Sequence, residues 1–135
     1  MIVLKSDQLN VEFQTLGGAL SSIKDKEGVE YLWQGDPTYW SGQAPVLFPI
    51  CGSVRNDTVL YDNEDGSQKE GKIPRHGLVR KKEFTLVEQT DNSVTFAIED
   101  DEEMYANYPY HFRLEITYTV TGKTIRTQYK IYNKE

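Results

Sequence analysis

The chain has 135 residues, of which 38% are hydrophobic and 27% charged, and its formal net charge is −6 at pH 7. The length predicts a single domain over residues 1–135. An acidic protein lacks the basic surface that nucleic acid or an anionic membrane requires, so we expect neither partner.

The N-terminus has neither the basic start nor the long apolar run of a signal peptide, and no apolar stretch approaches the roughly 20 residues of a membrane span. We therefore expect a cytoplasmic protein. Cys51 is the only cysteine, so no internal disulfide can form, and we expect this residue to be buried as a small apolar side chain.

The first third of the chain predicts short strands. The stretch LNVEFQTLGGALSSIKDKEGVEYLW supports three of them, with turns at Gly17-Gly18 and near Gly28. Two irregular stretches follow, at residues 36–57 and 61–80, and both are rich in residues that break regular structure. Long irregular connections on a β scaffold commonly carry function.

The second half of the chain has a clear period of two. FTLVEQTDNSVTFAIED predicts a hairpin, YHFRLEITYTV predicts a half-buried strand, and TIRTQYKIYN predicts another strand after a turn at residues 121–123. No segment predicts a helix of ten residues or more. The fold class is therefore all-β, an antiparallel β-sandwich.

The stretch KIPRHGLVRKKEF contains one of only two histidines. Proline and glycine restrict or redirect the backbone around His76, so this histidine is either a surface turn residue or a positioned acid or base. His111 falls on the polar side of a strand and is interpreted as a solvated residue. The acidic run EDDEE is interpreted as a solvated turn, and no residues have the spacing of a metal site.

Aromatic residues gather around the first irregular stretch, and Trp40 lies within it. Such rings are either core residues or flat apolar faces for the C–H face of a sugar. Basic residues follow Pro74, namely Arg75, Arg80, Lys81 and Lys82. They are either a solvated strand start or a cluster able to bind a phosphate group.

Taken together, the motifs resemble the aldose 1-epimerase (galactose mutarotase) family, and in particular its bacterial LacX-like branch. The resemblance rests on the Gly-Ala-Leu strand opening at Gly18, on Trp40 ahead of Pro45, on LFPICG at residues 47–52, on the pair His76-Gly77, and on YPYHF at residues 108–112. It extends over essentially the whole chain.

The resemblance implies a large β-sandwich that interconverts the α and β anomers of free aldohexoses, without metal or cofactor, in carbohydrate metabolism. A base takes the proton of the C1 hydroxyl while an acid protonates the ring oxygen, so the ring opens and can close on either face. His76 matches the family histidine that contacts the sugar near its ring oxygen. Asn56 matches a hydroxyl-binding asparagine, but Asp57 stands where the family has arginine, and Arg55 is expected to substitute for it.

We further expect Trp40 and Arg75 to contact the sugar. Family members run to around twice this length, and the resemblance implies that their acid histidine and base glutamate come from later strands. The chain is thus expected to be the N-terminal half of the fold, inactive by itself, with exposed sheet edges that favour a homo-oligomer. Two alternatives stay open: a non-catalytic carbohydrate-binding module, or a relative that acts on hexose phosphates.

Overall fold

The structure is a computed structural model that describes all 135 residues, and it is almost entirely β. Besides the 3-10 turn Arg55–Asp57, its elements in chain order are β1 (Ile2–Lys5), β2 (Asn10–Gln14), β3 (Ala19–Lys24), β4 (Thr58–Asp62), β5 (Gln68–Lys72), β6 (Thr85–Gln89), β7 (Ser93–Glu99), α1 (Glu102–Asn107), β8 (Phe112–Thr121) and β9 (Thr124–Asn133).

The strands form three antiparallel sheets, in the orders β1-β2-β3, β4-β5 and β6-β7-β8-β9. The three-stranded and four-stranded sheets share one apolar core. Phe13 of β2 lies 6.2 Å from Phe96 of β7 and 5.0 Å from Tyr118 of β8, measured between ring centroids. Because the two sheets pack face to face through such contacts, the predicted all-β sandwich is confirmed.

The long strand β8 shows how the sequence period produces this packing. Its inward residues Phe112, Leu114, Ile116, Tyr118 and Val120 are all buried, and the residues between them are only half-buried. An alternation of apolar and polar side chains places one set on each face of a strand, which is the predicted arrangement. The hairpin to β9 turns at Gly122, also as predicted.

Four features differ from the sequence-based expectations. The third strand expected near residues 29–33 is only a single bridge between Lys24 and Glu30, whereas Ile2–Lys5 forms a strand that was not expected. The second irregular stretch contains the end of β4 and the whole of β5, which pair as a hairpin. The acidic run, expected to be a turn, leads into α1, because the Asp101 side chain accepts a hydrogen bond from the Met104 N–H and caps the helix.

The helix α1 is six residues long, and no helix in the structure has the length and apolar character needed to cross a membrane.

Candidate functional site

The loop at residues 47–52 is anchored on the four-stranded sheet by Phe48. Its ring centroid lies 4.9 Å from that of Phe112, at the start of β8, and 6.0 Å from that of Tyr108. Burial raises the pKa of Tyr108, which is consistent with an apolar environment around these rings. The core therefore fixes the backbone of Phe48, which in turn holds the next segment.

That segment is the turn Pro74–Gly77. The Leu78 N–H donates to the Phe48 carbonyl over 2.7 Å, and the Gly77 N–H donates to the Pro74 carbonyl over 2.9 Å. Gly77 has φ +89°, and a Cβ at this position would overlap the Phe48 carbonyl group. Glycine is thus required both by the conformation and by the close approach of the two backbones.

His76 is bound to Gly52 in two ways. Its backbone N–H donates to the Gly52 carbonyl over 2.8 Å, and the Gly52 N–H donates to the imidazole Nδ1 over 2.9 Å. The residue is half-buried and has φ +67°, a left-handed conformation that is uncommon for a residue with a side chain. The imidazole is therefore oriented by backbone groups rather than left free on the surface.

These contacts select the tautomer of the neutral ring. Because Nδ1 accepts the Gly52 N–H, it carries no proton, and Nε2 carries the proton of the neutral imidazole. The Arg75 Nε lies 3.3 Å from that Nε2. The structure directs the Arg75 Nε–H at Nε2, and a protonated Nε2 cannot accept it, so in this tautomer the Arg75 side chain has to turn aside before Nε2 can donate to a ligand oxygen.

Arg55 and Asn56 lie in the short 3-10 turn that follows the loop. Both side chains are exposed and form no hydrogen bond in the structure. The turn is hydrogen-bonded to the residues that precede the histidine turn, because the Ile73 N–H donates to the Asp57 carbonyl over 2.8 Å. Asn56 has φ +55°, a conformation that asparagine adopts more readily than most residues.

Trp40 belongs to a separate group of aromatic residues. It is half-exposed, its ring packs over the backbone of Gly42, and its carbonyl accepts the Trp33 indole N–H over 2.8 Å. The Trp33 and Tyr39 rings meet edge to face at 6.3 Å. The hydrogen bonds of Trp40 join it to this aromatic group and not to His76, so its stacking on a sugar stays a prediction.

Three of the four basic residues after Pro74 line a surface cavity of about 250 Å³, and Arg75 does not. Arg80, Lys81 and Lys82 line it together with Lys72, Glu103 and Gly77 of the histidine turn. Ion pairs to Asp101 and Glu103 engage Lys82 and raise its pKa; the hydrogen bond to Glu103 has the largest effect.

The second histidine has a different environment. The His111 ring stacks on Tyr105 at 4.3 Å, and its Nδ1 lies 2.8 Å from the Asp100 carboxylate. Asp100 also accepts the Phe112 N–H over 2.9 Å and thereby joins the end of β7 to the start of β8. His111 is exposed as expected, and its contacts serve the strand connection.

Cys51 is exposed, not buried as the sequence led us to expect. It points away from the core because the ring of Phe48, three residues earlier, occupies the inward position of this loop. The structure contains no group of three or more His, Cys, Asp or Glu side chains able to hold a metal ion.

Comparison with known proteins is consistent with this arrangement. A family described as "Aldose 1-epimerase" matches residues 1–135, the full length of the sequence. The chain belongs to the aldose 1-epimerase family. It is 58% identical over 134 residues to "Protein LacX, chromosomal" of Lactococcus lactis subsp. lactis, and 57% identical to "Protein LacX, plasmid" of the same organism.

Solved aldose 1-epimerase-like structures show the same fold. A galactose mutarotase related enzyme from Lactobacillus acidophilus superposes with a TM-score of 0.92 at 28% identity, covering 98% of this chain and 43% of that one. A galactose mutarotase-like protein from Lactobacillus casei gives a TM-score of 0.89 at 26% identity, covering 100% and 45%. The match covers 99% of this chain but 45% of each LacX protein, so the chain spans less than half the length of these relatives.

The sequence of this family member does not reveal Gly52 as the partner of the imidazole. The two residues are 24 positions apart, and their hydrogen bonds use backbone groups that every residue except proline possesses. The one local signal was Gly52 itself, because a glycine directly after LFPIC permits the φ of +84° that the loop adopts.

Proposed function

We propose that this chain contributes a ring-oxygen contact to an aldose 1-epimerase reaction, and that the contact is the imidazole of His76. The observation that carries the proposal is the bond from the Gly52 N–H to Nδ1, which leaves the proton on Nε2. An N–H group held in this way can donate to the ring oxygen of an aldohexose, where negative charge develops as the C1–O5 bond breaks.

The same reaction needs a base for the C1 hydroxyl proton. In this proposal both the base and a second acid come from the part of the relatives that lies beyond the matched region. Arg55 and Asn56 bind sugar hydroxyls, since their side chains are exposed and form no hydrogen bonds to the protein. Trp40 offers its half-exposed ring to the C–H face of the sugar, and Arg75 approaches the ligand beside Nε2.

A second candidate is a relative that acts on hexose phosphates. The cavity lined by Lys72, Arg80, Lys81 and Lys82 favours it, because two of these cations, Arg80 and Lys81, form no ion pair. Clustered cations of this kind suit a phosphate group. A third candidate, a carbohydrate-binding module without catalysis, keeps the sugar contacts and lacks the base.

The test is polarimetry of freshly dissolved α-glucose and α-galactose, together with sugar binding followed by ligand-observed NMR. Because the base lies outside this chain, the proteins tested are the chain continued after Glu135 by the part of Lactococcus lactis LacX that follows its matched region. We expect this longer protein to bind the sugar and accelerate mutarotation, and its His76→Ala variant to lose about 10²- to 10⁴-fold of the acceleration, the usual contribution of a positioned acid. His111→Ala is the matched control, since it removes the other histidine and should leave the rate unchanged.

Each other outcome selects an alternative. Saturable binding of the free sugar without acceleration favours the binding module. Acceleration only with a 6-phosphorylated sugar, and its loss in Arg80→Ala, favours the hexose phosphate reading. If His76→Ala and His111→Ala both bind and turn over sugar like wild type, the role of His76 is rejected.

A further inference from the structure

The two turns assigned to sugar contact lie at the two ends of one hairpin. Arg55 and Asn56 come just before β4, and the turn Pro74–Gly77 comes just after β5. The pairing of the two strands continues past the ends of β4 and β5, since the Ile73 N–H donates to the Asp57 carbonyl over 2.8 Å. The Ile73 side chain is buried, at 1% exposure. Any contact that fixes the base of this hairpin therefore fixes both turns.

The base of the hairpin has one backbone donor that does not bond β4. Successive N–H groups along an antiparallel strand point alternately to the partner strand and to the outer edge. Ile73 donates to the partner side, so the N–H groups of Lys72 and Glu70 point to the outer edge of β5. The Lys72 N–H donates there to the side-chain oxygen of Asn107, the last residue of α1, over 3.0 Å. One side-chain amide thus joins the helix to the base of the hairpin.

The Asn107 amide is oriented by a second hydrogen bond. Its Nδ2 donates to the Glu103 carbonyl, one turn earlier in α1, over 3.2 Å. Because an amide accepts through its oxygen and donates through its nitrogen, only one orientation satisfies both bonds. The helix itself is fixed to the core by Met104, which is 2% exposed, and is capped by Asp101. Asn107 therefore connects the core to β5.

The sequence of β5 is adapted to close contact with α1. Gly71 is its only buried residue, and a Cβ at this position would overlap the Asn107 carbonyl. The Lys69 ammonium lies 5.5 Å from the centroid of the Tyr105 ring, where a cation and an aromatic face attract each other. A two-stranded hairpin is barely stable by itself, so we expect these contacts to set the position of its base.

We propose that Asn107 is a positioning residue for the sugar site. Its side chain bonds only Lys72 and Glu103, and it acts through the backbone of Lys72 by holding both ends of the hairpin in one arrangement. A role confined to the helix would depend on the bond to Glu103 instead. The effect on the rate rests on the function proposed for His76, whereas the effect on the position of the imidazole does not.

Three variants separate these roles. Asn107→Ala removes both bonds of the amide. Asn107→Asp keeps an oxygen for the Lys72 N–H and removes the donor to Glu103. Ser6→Ala is the matched control, because the Ser6 hydroxyl likewise accepts a backbone N–H, that of Leu9 over 3.0 Å, in the turn between β1 and β2.

NMR of the 135-residue chain gives the first readout. In wild type we expect the Lys72 amide to exchange at least about tenfold more slowly than the Glu70 amide, after correction for intrinsic rates, because only the former has a hydrogen-bond partner at this edge. We expect Asn107→Ala to remove this protection and to shift the ring nitrogen resonances of His76, since the hydrogen bond at its Nδ1 changes when the turn moves. Asn107→Asp and Ser6→Ala should keep both signals as in wild type.

Polarimetry gives the second readout, with the longer protein in which the LacX segment follows Glu135. A displacement of about 1 Å can cost about 10²-fold in rate, so we expect Asn107→Ala to lower kcat/KM by about 10- to 10²-fold. Asn107→Asp should restore most of kcat/KM, and Ser6→Ala should leave it unchanged. Each variant is measured well below its own Tm, so that lost stability alone does not lower the rate.

Three results would overturn the inference. The first is a Lys72 amide that exchanges as fast as that of Glu70 in wild type, a measurement that needs no variant to fold. The second is an Asn107→Ala variant that keeps the His76 resonances, or that keeps kcat/KM while His76→Ala loses it. The third is an effect of Asn107→Asp or Ser6→Ala as large as that of Asn107→Ala.

Failure of the proposed function would look different. A His76→Ala variant of the longer protein with the turnover of wild type would reject the role of the imidazole in the reaction. The exchange of the Lys72 amide and the His76 resonances would then decide alone whether Asn107 positions the turn.

Discussion

At the scale of single residues, the position of the imidazole depends on two backbone conformations. His76 and Gly77 both have positive φ, and they turn the chain so that one peptide group meets Phe48 while the ring meets Gly52. Strained backbone of this kind persists only where surrounding contacts hold it, and here the anchor is the aromatic packing of Phe48.

Replacement of Gly77 by alanine tests this arrangement. The new Cβ would overlap the Phe48 carbonyl at a φ of +89°, so we expect Gly77→Ala to lower the free energy of unfolding by roughly 3 kcal/mol or more. Gly66 is a matched control, since its φ is +84° but nothing lies within 4 Å of the added Cβ. Gly66→Ala should cost only about 1–2 kcal/mol in urea unfolding, and equal costs would contradict the role assigned to Phe48.

The sequence predicted part of the site at this scale. The flanking proline and glycine marked His76 as a residue with a fixed backbone, and the structure fixes it. The sequence could not reveal which atom fixes the ring, because the partner is a backbone N–H in a loop 24 residues away. The sugar contacts assigned to Arg55, Asn56, Arg75 and Trp40 remain predictions.

At the scale of the elements, the connection from β7 to β8 depends on one buried carboxylate. The Asp100 side chain is 8% exposed and accepts hydrogen bonds from His111 and from the Phe112 N–H. Burial alone would raise the pKa of Asp100, but these hydrogen bonds outweigh it and lower the pKa below its usual value of 3.8.

A lowered pKa in the folded state has a definite consequence for stability. The ionised carboxylate stabilises the fold fully above pH 4, and this stabilisation is lost as the pH falls through the lower, folded-state pKa. We expect Asp100→Asn to reduce the free energy of unfolding at pH 7 by about 1–3 kcal/mol, and the difference from wild type to shrink toward pH 2.

Urea unfolding at several pH values measures this difference. Asp91→Asn is the control, because Asp91 is an exposed turn residue whose side chain forms no hydrogen bond. A gap between Asp100→Asn and wild type that stays constant from pH 7 to pH 2 would show that the charge of Asp100 is not responsible.

The elements that the sequence failed to predict have weak apolar patterns. β5 is QKEGK, with a single buried residue, Gly71, so its pairing with β4 leaves no alternation to detect. The helix α1 is too short to show a helical period, and only Asp101 as its N-cap marks where it begins. β8 and β9, with ten residues each and regular alternation, were predicted correctly.

At the scale of the whole molecule, burial is distributed unevenly across the four-stranded sheet. The inner residues of β7 and β8 form the core with β1 and β2, whereas among the equivalent residues of β9 only Ile125 packs against that core and the others are exposed. Both strands alternate, although the inner set of β9 includes Thr127 and Asn133 where that of β8 is entirely apolar, and this small difference did not identify β9 as the uncovered strand. The difference in burial depends on how many strands the opposing sheet contains.

A pair of cross-strand neighbours should show this difference. Leu114→Ala removes a fully buried side chain and should lower the free energy of unfolding by about 2–5 kcal/mol. Ile131→Ala, directly opposite on the same face, should change it by no more than about 0.5 kcal/mol in the 135-residue chain. Thermal or urea unfolding measures both, and a large cost for Ile131→Ala would mean that its side chain is covered in solution.

The exposed thiol of Cys51 makes the histidine turn accessible to chemical labelling. It is the only cysteine of the chain and is adjacent to Gly52, whose N–H holds the imidazole. A maleimide dye would therefore attach at one position only, next to the glycine whose N–H binds the His76 imidazole. Its fluorescence would report occupancy of that turn directly, even in a protein that completes no reaction cycle.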